Sequence, residues 1–206
     1  MKGMADKSVD WVITDPPYGI DIGSMNFTQN TKGGVAVRND YRGISDWDKF
    51  TPDREYFDEI IRVSKNQIIF GGNYFTDKLP VSKSWIIWDK RTEDKYSNDF
   101  ADCEMAWTSL TKPSRICRYL FSGMMQGNMG DKDKRVHPTQ KPVTVMRWIL
   151  EKYTKPGETI LDPFMGAGST GIACKQTHHP FTGIELDPHY FEVAKTRINT
   201  TQEMML

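Results

Sequence analysis

The chain reads as an α/β protein built on a Rossmann-like sheet, and two features predict this. An apolar run, Val9-Asp10-Trp11-Val12-Ile13-Thr14, stops abruptly at Asp15-Pro16-Pro17-Tyr18-Gly19, the pattern of a buried strand closed by a turn. Much later, Ile160 to Gly171 passes from a strand through a glycine turn into a helix, and another strand follows.

The elements can be assigned in order. After the first strand, Gly19 to Phe50 is polar and glycine-containing, with no sustained period. Loops this long in compact domains are lids, binding loops or unstructured segments, and residues 19–50 are expected to form a flexible lid. Thr51-Pro52 predicts an N-cap and a proline at the first helical position, with Tyr56, Phe57, Ile60, Ile61 and Ser64 on one face. Gln67 to Phe70 is a strand closed by Gly71-Gly72, and Asn73 to Leu79 a short helix stopped by Pro80. Ser84 to Trp88, Glu104 to Thr108 and Arg115 to Phe121 are strand-like. A glycine–methionine loop, Ser122 to Gly130, then runs into a basic cluster. Pro142 opens a helix with Val143, Met146, Ile149, Leu150 and Tyr153 inward. The remainder is a turn (Lys155 to Glu158), a strand (Thr159 to Phe164), a helix (Ser169 to Gln176), a strand (Phe181 to Leu186) and a helix (Pro188 to Ile198) capped by Asp187.

Length bounds the chain to one domain over 1–206. No apolar run approaches the roughly 20 residues of a membrane span, and the N-terminus lacks a signal-peptide core. The three cysteines (Cys103, Cys117, Cys174) have no C-x-x-C spacing, so a cytosolic protein with reduced thiols is expected, without metal or disulfide. His178-His179 has no third ligand in sight and reads as a surface turn. Net charge is zero, yet Lys112, Arg115, Arg118, Lys132, Lys134, Arg135, Lys141 and Arg147 stand against only Asp131 and Asp133 between Leu110 and Trp148. Such a stripe is either a phosphate-contacting surface or a solvated face.

The chemistry is concentrated at two strand ends. In open α/β sheets ligands bind beyond the carboxyl ends of the strands. Pro16 and Pro17 lack an N–H and hold φ near −65°, so the carbonyls of this turn stay available. An acid, free carbonyls and a ring face suit a flat heteroaromatic bearing an exocyclic NH₂. At the second strand end, Gly166 and Gly168 allow close backbone approach, Gly171 allows the helix to pack on the sheet, and Glu185 is placed to accept from two ribose hydroxyls. Gly166-x-Gly168-x-x-Gly171 also fits a dinucleotide fingerprint. Against a nicotinamide enzyme stand the position of the motif, forty residues from the end, and Asp162-Pro163-Phe164, a poor lining for a pyrophosphate. An acid and a ring instead suit the ammonium, sulfonium and adenosine of S-adenosylmethionine.

Together, Asp15-Pro16-Pro17-Tyr18, His137-Pro138-Thr139-Gln140-Lys141-Pro142 and Asp162-Pro163-Phe164-Met165-Gly166-Ala167-Gly168 resemble the circularly permuted (β-group) amino-DNA methyltransferases, in which the catalytic half precedes the cofactor half. The resemblance spans Ser8 to Ile198. It implies a seven-stranded Rossmann-like methyltransferase sheet, S-adenosylmethionine as methyl donor, double-stranded DNA as partner and N6-methyladenine as product, since members with Asp at the first motif position are mostly adenine enzymes. It further implies that Asp15 and the Pro16 carbonyl hold the amine within the Pro16-Pro17 turn and that Tyr18 stacks on the flipped base. Asp162, Phe164, Gly166 and Gly168 would line the cofactor, Glu185 its ribose, and Thr139, Gln140 and Lys141 its methionine carboxylate, with His137 shaping that turn. Lys112, Arg115, Arg118, Lys132, Lys134 and Arg135 would contact phosphates. A small target-recognition insert is expected at about 91–136, some of whose strands join the main sheet; so small a reader implies a short recognition sequence or a homodimer that shares the reading. Only a handful of residues precede Val9 where the family usually has another strand, so either an edge strand is absent or the chain starts late. The alternatives are an N4-cytosine enzyme, a methyltransferase acting on RNA or a protein amide, and a non-enzymatic DNA-binding protein with a vestigial cofactor pocket.

Overall fold

The computed structural model describes residues 1–20, 48–91, 101–122, 125–128, 130, 132–137 and 139–204. Most of the expected lid, residues 21–47, lies outside the described residues, as do Pro138 and parts of the glycine–methionine loop. The strands are β1 (Val9–Thr14), β2 (Ser64–Phe70), β3 (Trp85–Asp89), β4 (Cys103–Thr108), β5 (Arg115–Arg118), β6 (Phe121–Ser122), β7 (Met125–Gln126), β8 (Ile160–Asp162) and β9 (Phe181–Gly183). The helices are α1 (Arg54–Val63), α2 (Val143–Tyr153), α3 (Ser169–Gln176) and α4 (Pro188–Thr200).

β1 sits inside a seven-stranded sheet of order β5-β3-β4-β2-β1-β8-β9, while β6 and β7 form a separate antiparallel pair. β1 pairs in parallel with β2 (Ile13 opposite Ile68) and with β8 (Val12 opposite Leu161). β4 alone runs against its neighbours β2 and β3. Both β4 and β5 belong to this main sheet, which is why a segment of the expected recognition insert is scaffold. Among the described residues, β9 and β5 form the two edges of these seven strands.

Strand alternation sorts the core into two layers. Trp11, Ile13, Ile68, Phe70, Ile86 and Trp88 face α2 and α3, packing on Met146, Ile149, Leu150, Ile172 and Ala173. Val12, Ile69, Trp107 and Leu161 face the opposite side, against Phe57, Ile60 and Val63 of α1 and the ring of Phe75.

Several boundaries differ from the sequence reading for identifiable reasons. α1 starts at Arg54 with Asp53 as N-cap. The Thr51 hydroxyl is occupied by Lys78 Nζ, which also bonds the Pro52 carbonyl, so neither residue opens the helix. Val63, not Tyr56, completes the buried face, and Tyr56 is exposed. Ser64 is the first residue of β2, its hydroxyl folded back on the Ile60 carbonyl. Asn73 to Leu79 is no helix; a single 3-10 turn at Gly72–Tyr74 is followed by turns closing on the Phe75 carbonyl. β8 and β9 are each shorter than expected and stop at Asp162 and Gly183, leaving Leu186 exposed. His179 is not a surface residue: it is buried, and its two ring nitrogens bond the hydroxyls of Thr154 and Thr177. α3 and the Asp187 cap of α4 stand where the sequence puts them.

Candidate active site

Parallel pairing of β1 with β8 brings the two chemically loaded strand ends side by side. The link is direct: buried Thr14, the last residue of β1, donates its hydroxyl to Asp162 Oδ1 over 2.6 Å. Asp15 follows Thr14 without a break, so it stands beside the turn that leads to Gly166.

The turn after β1 is held by groups the sequence does not single out. Buried Asp48 accepts from the backbone N–H groups of Tyr18 (2.9 Å) and Gly19 (3.2 Å) through one carboxylate oxygen. Tyr18 donates its hydroxyl to Asp15 Oδ1 at 2.6 Å, and its ring stacks on Tyr74 with centroids 4.8 Å apart. Gly71 has φ +69°, and a Cβ there would fall within the Tyr18 ring, so this glycine is what lets the aromatic sit down on β2's end. Tyr74 is nearly half exposed, so the aromatic surface beside Asp15 is a two-ring stack. Burial, with Asp15 and Glu104 adding to it, pushes the Tyr18 phenol well above its ordinary value. It therefore acts as a donor, not a base.

Around Asp15 the charges alternate. Lys141 Nζ lies 2.5 Å from Asp15 Oδ2 and 3.0 Å from Glu104 Oε2, and Lys90 Nζ lies 3.3 Å from Glu104 Oε1. The Lys141 ammonium also sits 5.4 Å from the ring centroids of both Tyr18 and Phe70. Although burial alone would discharge it, two carboxylates hold Lys141 protonated well above the usual lysine range. Burial raises the Asp15 carboxyl; Lys141 opposes that and Glu104 reinforces it. Glu104 is pushed up by burial too, but Lys141 and Lys90 outweigh this and keep it low. The resemblance puts Lys141 beside the methionine carboxylate, and charge counting puts it in an exposed stripe. In the fold its side chain is 5% exposed and serves Asp15 and Glu104.

At the end of β8 a different economy of donors operates. Asp162 accepts from Thr14 and Phe164 N on one oxygen and from Thr170 on the other. All are neutral, and burial lifts its carboxyl to about 6. Glu185 accepts from Gly166 N (2.8 Å) and Asp187 N (2.9 Å), one bond per oxygen, leaving a lone pair on each. Phe164 lies partly buried with Tyr56 across from it at 5.9 Å. Gly166 has φ +52° and open space where a Cβ would be, whereas a Cβ on Gly168 would meet Ala194 and one on Gly171 would meet Ile198 and Phe181. Thus Gly168, like Gly171, is required for close packing, here against α4, and Gly166 alone leaves its backbone open to a guest. Ser169 Oγ is buried in the first turn of α3 with no hydrogen-bond partner among the described residues. An open glycine, a carboxylate with two unused acceptor sites and a spare buried hydroxyl fit an adenosyl ligand.

The remaining expected residues are placed less centrally. Gln140 spends its amide on the loop itself, accepting from Val136 N and donating to the Lys134 carbonyl. Thr139 bonds His137 Nδ1, and His137 packs edge-on to Tyr190 at 4.3 Å. Burial lowers His137 to about 4, consistent with a shaping role. Lys112, Arg115 and Arg118 are exposed on and before edge strand β5, with Arg118 3.4 Å from Asp89. Lys132 and Lys134 are exposed, but the Arg135 guanidinium lies 4.2 Å over the Phe121 ring and is partly buried. No group of three or more metal-binding side chains occurs among the described residues, and none of their helices is long and apolar enough to cross a membrane.

Comparison with known proteins agrees with this geometry. Residues 77–196 match the DNA methylase family of N6/N4 methyltransferases. The type II methyltransferase M2.DpnII of Streptococcus pneumoniae is 26% identical over 97% of this chain and 86% of its own, and M2.LlaDCHI of Lactococcus lactis subsp. cremoris is 26% identical over 94% and 83%. Among solved structures, M1.HpyAVI in complex with SAM is 25% identical with a TM-score of 0.54, covering 95% of this chain and 90% of that one. The cytosine-N4-specific PvuII DNA methyltransferase, at 12% identity, TM-score 0.58 and coverage of 95% and 81%, shares the fold. The chain belongs to the N6/N4 DNA methylase family and is an S-adenosylmethionine-dependent DNA methyltransferase.

Proposed function

We propose that this enzyme methylates the exocyclic N6 of adenine in double-stranded DNA, with Asp15 and the Pro16 carbonyl receiving the amino group. The observation that supports the reading is the 2.6 Å bond from Thr14 to Asp162, which joins the strand end preceding Asp15 to the strand end preceding the glycine turn. The Asp-Pro-Pro-Tyr form of the first motif, shared with adenine-type members of the resembling family, favours adenine over cytosine.

The amino lone pair of adenine is delocalised into the ring and is a weak nucleophile. Hydrogen bonds from its two hydrogens to Asp15 and the Pro16 carbonyl would turn the nitrogen toward tetrahedral geometry. S-adenosylmethionine, when bound, supplies an electrophilic methyl on a cationic sulfur. Held by Gly166, Glu185 and Ser169, it would give up that methyl to the nitrogen lone pair, the electrons of the S–C bond staying on sulfur and the extra proton of the amine passing to water. Asp15 is too weak a base to deprotonate the amine first; orientation and stabilisation of the growing positive charge carry the step.

Glu185 would accept from the ribose hydroxyls, Gly166 allow close approach, and Phe164 and Asp162 shape the cavity wall. Flipping the base costs a few kcal/mol, and the Tyr18–Tyr74 stack would return about 1–3 kcal/mol. Lys112, Arg115, Lys132 and Lys134, all exposed, would contact phosphates, with Arg118 and Arg135 beside them.

The test is to incubate unmethylated genomic DNA with the enzyme and methyl-labelled S-adenosylmethionine, then resolve the nucleosides. Label in N6-methyladenine is expected. Label in N4-methylcytosine instead would transfer the assignment to cytosine.

A further inference from the structure

Lys141 opposes the duty proposed for Asp15. An ammonium 2.5 Å from Asp15 cancels much of the negative charge that a nitrogen turning cationic needs nearby. The remedy lies on the neighbouring strand. Glu104, the second residue of β4, reaches the same ammonium at 3.0 Å from its other side. Because β4 runs antiparallel, its beginning lies at the carboxyl ends of β2 and β3, level with the turn after β1. Lys90, just past β3, pairs with the far oxygen of Glu104.

We infer that Glu104 is a positioning residue for methyl transfer, a counter-charge that occupies Lys141 and so leaves Asp15 its negative field at the amine. The inference rests on the assignment of Asp15 as the amine's acceptor. From Asp15 outward, the row Asp15, Lys141, Glu104, Lys90 alternates in sign, each member in contact with the one before it, so the sum at an amine held by Asp15 would stay negative. Remove the third member and two cations face one carboxylate. Lys141 is also fixed in place by the geometry, its ammonium over the rings of Tyr18 and Phe70 and its side chain nearly inaccessible. It cannot swing away to relieve Asp15. The other titratable groups facing this row are Tyr18, bonded to Asp15, Tyr74 stacked on it, Asp162 at the end of β8, and His137 near Lys141.

The experiment compares Glu104→Gln, Glu104→Gln/Lys141→Met and Asp15→Asn with the parent. In the ligand-free protein, the Asp15 carboxyl is followed by carbon-13 NMR against pH. Glu104→Gln should move its midpoint down by about one pH unit, since a neighbouring negative charge is removed. In the assay, kcat should fall about 10- to 100-fold with KM for DNA and cofactor little changed. At about pH 9, high enough to keep Asp15 ionised without its ammonium, the double variant should be faster than Glu104→Gln alone. A merely structural Glu104 would move neither the midpoint nor the ranking of single and double variants. An unmoved Asp15 midpoint, a parent-like kcat in Glu104→Gln, or a double variant no faster than the single would overturn the inference. If Glu104→Gln fails to fold, Glu104→Asp must show the same downward movement, smaller in size, or the inference fails. Asp15→Asn separates the two ideas. Parent-like turnover there removes the acceptor assignment itself, whereas an inactive Asp15→Asn beside a parent-like Glu104→Gln removes only the role of Glu104.

Discussion

Two carboxylates stand at adjacent strand ends, Asp15 after β1 and Asp162 closing β8, and they are treated in opposite ways. Asp15 is gripped by a buried ammonium and a phenol, in a row of alternating charges. Asp162 is surrounded by neutral donors, two threonine hydroxyls and a backbone N–H. Neutral donors fix a carboxylate's position but return little of the solvation an ion loses on burial, which is why Asp162 is lifted to about 6. A cation returns more and couples the acid's charge to every other charge in the row. The contrast separates duties: Asp162 ties β1, β8 and α3 together, and Asp15 presents charge.

The largest effect should follow removal of the cation. Lys141→Met would leave Asp15 and Glu104 as neighbouring buried acids without their partner, at a cost of about 3–5 kcal/mol. Chemical denaturation should show that loss at pH 8 and a smaller one at pH 5, where the stranded acids can protonate. A loss independent of pH would mean that packing, not charge, is what Lys141 provides.

A somewhat smaller effect is expected at Asp162. Its folded value of about 6 lies above the ordinary 3.8, so between these pH values the folded protein holds more protons than the unfolded chain. Its contribution to stability is therefore fully present below about pH 3.8, declines as pH rises through about 6, and stays low above it, a swing of about 3 kcal/mol. Asp162→Asn removes the titration. Its stability relative to the parent should rise across that window and then level off, as melting curves at stepped pH would reveal. A flat difference would contradict the neutral-donor account.

The smallest effect on the folded protein belongs to the exposed cations, which extend the comparison from buried to solvated charge. Replacing Lys112, Arg115, Lys132 and Lys134 by Gln should leave melting almost unchanged. It should flatten the dependence of log Kd for duplex DNA on log salt by about 0.9 for each phosphate that is no longer neutralised. An unaltered slope would return this stripe to being an ordinary solvated face.

Motifs that act through neighbouring residues were legible from the chain alone. The strand ending at Asp15, the glycine turn at Gly166, α3 and the Asp187 cap all depend on local stereochemistry, and the fold has them where the sequence puts them. Helix α1 began late because Lys78, well along the chain, captures Thr51. Glu104, Asp48, Tyr74 and Thr14 carried no local signal at all. Glu104 looks like one polar residue in an alternating strand, and its partner Lys141 looks like one more cation in a basic stretch.

What the amino-acid order settled by itself was therefore the α/β class, the two strand-end motifs and the chemistry they suit, because each rests on φ preferences, periodicity and side-chain type within a few residues. What the tertiary structure decided was the company each acid keeps. Ionisation and field depend on distances of about 3 Å and on exclusion of water, and those are set when β1, β4 and the segment before α2 are folded together, from positions 15, 104 and 141 of the chain.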